Sequence, residues 1–159
     1  MRIKNSLVFL LIGILFFSCD KKRVFDEYHS VGSAWHKDST VTFQLPELDS
    51  TKKYDLFVNL RSNDNYPFNN LFLIVALELP NGFTKVDTLE YQMANPDGTL
   101  LGEGFTDIKE SKLFYKGKVK FRGKYKVSIK QAVRETGKVP GVEQLEGITD
   151  VGFRIENKE

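Results

Sequence analysis

Apolar side chains recur at every second position along most of the chain beyond residue 35. Val41, Phe43 and Leu45 alternate with threonine and glutamine until Pro46 ends the run. Because successive side chains of a strand point to opposite faces, this period of two predicts strands with one buried and one solvent-exposed face. Further strands are predicted at residues 54–60, 83–93, 125–131 and 151–155, with two short strands around Gly117 within 112–121.

One segment departs from this alternation. Leu71 to Leu79 is apolar at every position except Glu78, which fits either a central strand covered on both faces or a short buried helix. The β-branched Ile74 and Val75 favour a strand. The Asn81-Gly82 pair that follows favours it too, because both residues tolerate the positive φ angles of a tight hairpin.

Glycine and proline mark the remaining connections. Asn95-Pro96-Asp97-Gly98 predicts a turn, and Gly102 and Gly104 predict a bulge or a close backbone approach. Residues 134–147 contain several glycines and show no sustained period. They are therefore expected to form a loop with at most a helical turn at 143–145.

About eight short strands with frequent turns predict an all-β fold, a two-layer antiparallel β-sandwich of which the jelly roll is one form. Residues 20–33 show no period and are charged, so they are interpreted as a flexible tether. The predicted organisation is a signal peptide at 1–18, a lipidated N-terminus and tether at 19–34, and a β-sandwich domain at 35–159.

The start of the chain has the organisation of a secretory signal. Arg2 and Lys4 precede an apolar run from Leu7 to Phe17, followed by Ser18 and by Cys19, which is the only cysteine. The run is shorter than the roughly 20 residues that a membrane-spanning helix needs. The signal is therefore expected to be cleaved.

Residues 16–19 (Phe-Phe-Ser-Cys) resemble a bacterial lipobox, in which the cysteine receives lipid and becomes the first residue of the mature protein. Cys19 is therefore the predicted lipid attachment site, and an ordinary signal peptide with a chance cysteine is the alternative. Two or more acyl chains give stable membrane attachment, because each buried methylene contributes about 0.8 kcal/mol.

The composition and charge of the chain restrict the classes of partner that it can bind. Arg2 and Lys4 account for the whole formal charge of +2, so the mature chain is neutral and lacks a general attraction for nucleic acid. With Cys19 committed to lipid, no disulfide can form inside the mature domain. The fold must rest on apolar burial, for which 13 Phe, 6 Tyr and 1 Trp are available.

Four stretches together resemble the GldH family of gliding-motility lipoproteins of Bacteroidota: Arg61–Leu71, Asp87–Gly104, Gly123–Arg134 and Gly147–Ile155. The resemblance implies a cell-envelope lipoprotein associated with gliding and with type 9 secretion, whose partners are envelope proteins of that machinery. It implies no catalytic residues and no cofactor. The expected location is the outer membrane, facing the periplasm, with palmitate on Cys19.

An aromatic and amide-rich loop precedes the most apolar segment and consists of Tyr66, Pro67, Phe68, Asn69 and Asn70. One interpretation is an interaction loop that displays rings and amides to a protein or a sugar, because binding groups collect on the loops of a rigid sandwich. In the alternative, Tyr66 and Phe68 fold back over the core. The second candidate function is glycan binding by an accessory lipoprotein of the outer membrane.

The two histidines are a weak candidate for a metal site. His29 and His36 lie seven residues apart with Asp38 nearby, and imidazole and carboxylate are common ligands. No third or fourth ligand can be identified, so solvated side chains are favoured and no metal is expected. A Ser-His-Asp triad would need a histidine on the rigid scaffold, which neither provides.

The carboxylates suggest a third class of function, that of an envelope hydrolase. Asp87, Glu90 and Glu103 include possible pairs for glycoside hydrolysis, which needs two acids at a defined separation. In a neutral, strand-rich domain most such groups lie on solvated faces, so no catalysis is expected. A lysine-rich stretch is likewise interpreted as a solvated strand face: Lys109, Lys112, Lys116, Lys118, Lys120 and Lys124.

Overall fold

The structure, a computed structural model, describes residues 20–104, 106–117, 119 and 121–158. These residues form ten strands and no helix, which confirms the all-β class. None of the described segments is therefore a helix suited to crossing a membrane. The strands are β1 (Arg23–Ser30), β2 (Ala34–His36), β3 (Val41–Gln44), β4 (Tyr54–Ser62), β5 (Asn70–Glu78), β6 (Thr84–Gln92), β7 (Lys109–Lys116), β8 (Lys126–Gln131), β9 (Gln144–Glu146) and β10 (Ile148–Asn157).

The strands pair as one long antiparallel hairpin that is folded back on itself. β1 pairs with β10, β2 with β9, β3 with β8, β4 with β7 and β5 with β6. The tip is the predicted hairpin at Asn81-Gly82, where Gly82 has a φ angle of 81°. Two further ladders collect eight strands into sheets of order β1-β10-β4-β7 and β3-β8-β5-β6. This nested pairing is the jelly-roll form of the sandwich.

The core lies between the two four-stranded sheets. Phe153 of β10 is fully buried, and its ring centroid lies 6.1 Å from Phe43 in the other sheet and 6.4 Å from Tyr115 in its own sheet. Buried residues from both sheets form one continuous apolar cluster. Since no described residue can supply a disulfide, this burial is the main stabilising contribution among the described residues.

Strand β5 is central in its sheet, as predicted, but the expectation that both of its faces are covered is wrong. Its side chains alternate strictly, and Ile74 on the outer face is 36% exposed. The described part of the chain forms only two layers, so the outer face of this sheet meets solvent. The buried side chains of β5 are Leu71, Leu73, Val75 and Leu77.

The tether predicted at residues 19–34 is wrong over most of its length. β1 occupies Arg23–Ser30 and pairs with β10 along its whole length. It is an edge strand with a register shift between Arg23 and Phe25, and its side chains are exposed or only partly buried. That position leaves no clean alternation in the sequence. The sandwich therefore begins at Arg23 and not at residue 35.

The expectations for two connections also need correction. The possible helical turn at 143–145 is wrong, because β9 pairs there with β2 and places fully buried Leu145 opposite fully buried Trp35. The second short strand predicted after Gly117 is not found among the described residues of that stretch. Strands of three residues are too short for a period of two to be recognised.

The loops of the sandwich cluster at two opposite ends. The Asp20 end comprises the described residues of 20–22, 45–53, 79–83, 117–125 and 158, joined by backbone bonds such as Lys158 N–H to Lys53 O (3.0 Å). The Tyr66 end comprises those of 31–33, 37–40, 63–69, 93–108, 132–143 and 147. There, Asn63 N–H donates to Gly147 O (2.9 Å).

Candidate functional site

Only one of the two predicted sites lies within the described residues. Cys19 lies outside the described residues. The loop from Tyr66 to Asn70 is described, and it lies at the Tyr66 end, between β4 and β5. Its geometry therefore determines which of its side chains are available to a partner.

Tyr66 belongs to the core and is not displayed. It is 5% exposed, and its hydroxyl donates to the Asn70 carbonyl oxygen at 2.7 Å. Burial raises the pKa of its phenol above the ordinary value. The ring meets Phe68 edge-on, with centroids 6.0 Å apart, and Phe68 is itself partly buried against the core. The interpretation in which these rings fold back over the core therefore holds for Tyr66 and in part for Phe68.

Gly147 packs directly against the backbone of this loop. This role was not predicted from the sequence. Its φ angle is 82°, and a β-carbon there would overlap the Tyr66 backbone and lie 2.7 Å from the Asn65 carbonyl carbon. Only glycine satisfies both the backbone conformation and the close approach. The signal in the sequence was an isolated glycine between two apolar segments, which marks close backbone contact.

Asn69 and Asn70 connect the loop to the end of β6. The Asn69 carbonyl oxygen accepts bonds from the backbone N–H groups of Met93 (2.7 Å) and Ala94 (3.1 Å). The Asn70 side-chain amide donates to Glu90 Oε1 at 2.8 Å. The side chain of Asn69 is exposed. The loop is thus held rigidly by its backbone while the Asn69 amide faces solvent.

These contacts form one wall of an open groove of about 770 Å³. Three stretches that are distant in sequence meet in it: the loop at 67–70, the end of β6 with the following turn at 90–96, and the segment containing Arg134 and Thr136. Rings, amides, one carboxylate and one guanidinium therefore line a single concave surface. Such a mixture suits recognition of a polar or peptide chain.

A second open groove of about 740 Å³ adjoins the first at Gln92. The close approach predicted at Gly102 and Gly104 is confirmed, because a β-carbon on Gly102 would lie 2.9 Å from the Glu110 carbonyl oxygen. Glu103 and Glu110 also exchange two backbone hydrogen bonds of 2.8 Å. The Gly-rich segment therefore forms a fixed rim beside β7.

The histidines do not come together as a metal centre. His29 Nε2 lies 2.7 Å from Glu27 Oε1, and its ring packs 4.8 Å from the Phe43 ring. His36 lies on β2 near Asp38 (3.9 Å) and Glu143 (3.7 Å). In the described part of the chain, no group of three or more His, Cys, Asp or Glu side chains is arranged to hold a metal.

Two of the candidate carboxylates, Asp87 and Glu90, do not converge either. Asp87 accepts from the Tyr115 hydroxyl (2.8 Å) and from Lys116 Nζ (3.2 Å) on β7, whereas Glu90 accepts from Asn70. Residues three apart on a strand point to opposite faces. Partial burial alone would raise the pKa of Asp87, but hydrogen bonds from Tyr115 and the lysines hold it below the ordinary value. Asp87 is thus an ion-pair partner.

The lysine-rich stretch has mixed roles. Lys112 Nζ lies 2.6 Å from Glu156 and 4.2 Å from the centroid of the Phe57 ring, and Lys116 pairs with Asp87. Lys124 is exposed at the Asp20 end, and Lys109 Nζ donates to the Gly104 carbonyl oxygen at 3.1 Å. Lys118 and Lys120 lie outside the described residues.

The fold is that of a jelly-roll protein with a groove built from loops at one end. The sequence model of the GldH lipoprotein family matches residues 23–155, and the chain belongs to this family. The family resemblance found in the sequence is thereby confirmed, and the match begins where β1 begins.

Two relatives and one solved structure extend this comparison. The chain is 82% identical over 159 residues to the gliding motility lipoprotein GldH of Flavobacterium johnsoniae, with all of both chains covered. It is 58% identical over 154 residues to the gliding motility lipoprotein GldH homolog of Christiangramia forsetii, covering 96% of this chain and 94% of the relative. A GH115 4-O-methyl-α-glucuronidase gives a TM-score of 0.46 at 13% identity, over 89% of this chain and 18% of the enzyme.

Proposed function

We propose that this chain is a lipid-anchored protein of the cell envelope that serves gliding motility and the associated type 9 secretion, and that it acts by protein contacts without catalysis. The names of both relatives support gliding. The observation that carries the contact mechanism is the groove at the Tyr66 end. There, three distant stretches are held together by backbone hydrogen bonds while polar side chains remain exposed.

The proposed anchor is Cys19, with residues 1–18 removed and palmitate among its acyl chains. The membership of a lipoprotein family supports this assignment, as does the lone cysteine after an apolar run. Two or three chains make attachment effectively stable. The proposed location is the outer membrane, with the domain facing the periplasm.

Anchoring explains how an open groove can suffice for function. Confinement to a membrane surface raises the effective concentration of the domain near envelope partners, so that weak contacts become sufficient. The groove contributes one carboxylate, Glu90, and one guanidinium, Arg134, beside the amides of Asn69 and Asn95. These groups suit the backbone and side chains of a protein segment.

Protein contact is favoured over glycan binding by the position of Tyr66. Sugar recognition by an aromatic loop needs an exposed ring face, and the Tyr66 ring is buried beneath Phe68. Phe68 is the only aromatic ring of this loop that remains partly exposed. Glycan binding is therefore the alternative outcome of the test described next.

The test replaces the native gene with Asn69→Arg, which puts a long charged side chain into the groove. The matched control is Asn65→Arg, since Asn65 is also exposed and close in sequence but does not line the groove. We expect Asn69→Arg to reduce cell spreading and secretion of type 9 substrates at unchanged protein level. The control should behave like wild type. Normal spreading and secretion with Asn69→Arg would contradict the proposal.

Two further measurements separate the alternatives. Saturable binding of the purified protein to a polysaccharide, lost with Asn69→Arg, would favour the glycan-binding function. Intact-mass analysis of the native protein is expected to show acyl chains on Cys19. An unmodified sulfur there would overturn the anchor without affecting the groove.

A further inference from the structure

The structure fixes where the chain enters the domain. Asp20, the first described residue, forms an ion pair with Arg154 on β10. Its carbonyl oxygen accepts the Arg23 N–H at 3.3 Å, and the Lys22 carbonyl oxygen accepts the Asn157 N–H at 2.8 Å. The chain is thus attached to the sheet from Asp20 onward. Cys19 is only one residue away, and one residue spans about 3.8 Å.

A short connection of this kind puts the Asp20 end against the membrane. Given the lipid on Cys19 proposed above, this short connection keeps the Asp20 end close to the headgroups. The surface chemistry of the Asp20 end is therefore the chemistry that meets the bilayer.

The exposed charges of this end are mainly positive. Its described loops hold three acidic side chains, Asp20, Glu47 and Asp49. Asp20 pairs with Arg154, and Glu47 pairs with Arg122 at 3.3 Å. Basic side chains near a negatively charged bilayer are attracted within about a Debye length. The described basic residues of this end are Lys21, Lys22, Lys52, Lys53, Arg122, Lys124 and Lys158.

Two exposed aromatic residues lie among these charges. Phe83 is 64% exposed on the β5–β6 hairpin, and Phe121 is 41% exposed on the neighbouring loop. Both border an apolar pocket of about 570 Å³. The Phe121 backbone is held on both sides, because Tyr125 Oη accepts from its N–H (3.0 Å) and donates to its carbonyl oxygen (2.6 Å). Exposed aromatic residues beside lysines are typical of membrane-interface surfaces.

The opposite end has the opposite charge. Its exposed loops carry mainly carboxylates, and an anionic bilayer would repel them. The described acidic residues there are Asp38, Asp64, Asp97, Glu103, Asp107, Glu135 and Glu143, against the basic Lys37, Arg134 and Lys138. The charge distribution and the point of chain entry thus favour the same orientation.

We propose that the Asp20 end is a membrane-docking surface, which binds anionic phospholipid headgroups through Lys52, Lys53 and Lys124 and places Phe83 and Phe121 at the interface. This inference rests on the acylation of Cys19 proposed above. It goes further, because it assigns the domain a fixed orientation with the groove directed away from the bilayer.

The test uses the full mature lipoprotein, reconstituted into vesicles that contain lipids brominated along their acyl chains. Trp35 is fully buried, so a tryptophan introduced by Phe83→Trp reports depth at the Asp20 end. The matched reporter is Val139→Trp, because Val139 is 84% exposed at the Tyr66 end. Vesicles of phosphatidylcholine alone are compared with vesicles that also contain phosphatidylglycerol.

We expect quenching of the Phe83→Trp reporter to be several-fold stronger with phosphatidylglycerol and to weaken with added salt or with Lys52→Glu and Lys53→Glu. Val139→Trp should show no quenching in either vesicle. Equal quenching of both reporters, or quenching of Phe83→Trp that ignores lipid charge, would overturn the docking surface. Intact mass distinguishes the two failures: an acylated protein without quenching defeats docking alone, whereas an unmodified Cys19 defeats both proposals.

Discussion

The Asp20 end and the Tyr66 end are built from the same strands and differ in charge and in surface shape. The Asp20 end carries an excess of lysine and arginine with two exposed phenylalanines. The Tyr66 end carries an excess of carboxylates and two open grooves. In this nested hairpin, successive strands are connected alternately at the two ends. The loops of each end can therefore differ in surface chemistry.

The point at which the chain enters the domain determines which end lies nearest to the membrane anchor. Asp20 is held by Arg154, so the first end lies beside any anchor at Cys19. The Tyr66 end is the part of the domain most distant from that anchor. A tether of the predicted length would have removed this distinction, because either end could then have faced the membrane.

We expect the greatest loss of stability from a substitution at the Tyr66 end. Gly147→Ala forces a β-carbon into the Tyr66 backbone, so the free energy of unfolding in urea should fall by about 2–4 kcal/mol. The control is Gly137→Ala, where φ is 79° but nothing lies within 4 Å of the added carbon. It should cost only the backbone strain of about 1–2 kcal/mol. Equal losses would mean that Gly147 does not support the loop.

A smaller effect is expected at the Asp20 end. Arg154 is 14% exposed and contacts Asp20, Asp26 (2.6 Å) and Glu156 (2.7 Å). Arg154→Gln removes the cation that Asp20 and Asp26 contact, whereas Glu156 keeps Lys112. The substitution should lower the unfolding free energy by about 1–3 kcal/mol. Amide exchange in β1 should accelerate, and exposed Arg134→Gln should change stability by less than about 0.5 kcal/mol. Unchanged β1 exchange would contradict a fixed chain entry.

Acid stability probes the contact between β6 and β7. The hydrogen bonds of Asp87 hold its pKa below the ordinary value, so it contributes stability that is present above about pH 4 and is lost as pH falls through the lower, folded-state pKa. Asp87→Asn should therefore flatten the decline of unfolding free energy in acid. Tyr115→Phe in the same background should add little. An unchanged acid profile in Asp87→Asn would refute this contribution.

The smallest effect on stability is expected from the surface pair of the Asp20 end. Glu47 and Arg122 are 60% and 73% exposed, so Glu47→Gln should change the unfolding free energy by less than about 1 kcal/mol. The same substitution increases the positive charge of this end and should strengthen quenching of the Phe83→Trp reporter in vesicles that contain phosphatidylglycerol. A large loss of stability with no gain in quenching would show that the pair is structural.

The sequence predicts those parts of the fold that follow from local alternation. β3, β4, β8 and β10 each bury every second side chain over most of their length, and the Asn81-Gly82 hairpin follows from glycine conformation. β1 was missed because an edge strand with a register shift exposes charged side chains on both faces. β2 and β9 pair only three residues each.

The candidate site was only partly predictable for a different reason. The sequence identifies the amide and aromatic content of residues 66–70, but the burial of Tyr66 depends on its contact with Gly147 far along the chain. The meeting of Asn69 with Ala94 and Arg134 in one groove is likewise tertiary. A single sequence shows which side chains have suitable chemistry, and the pairing of distant strands decides which of them share a surface.

Neutron reflectometry of the native lipoprotein on a supported anionic bilayer tests whether the domain has a fixed orientation with its Asp20 end against the membrane. The expected density profile places protein immediately against the headgroups, with the long axis of the sandwich upright and the Tyr66 end farthest from the membrane. A hydrated gap between headgroups and protein, or a domain lying on a sheet face, would contradict the fixed orientation proposed here.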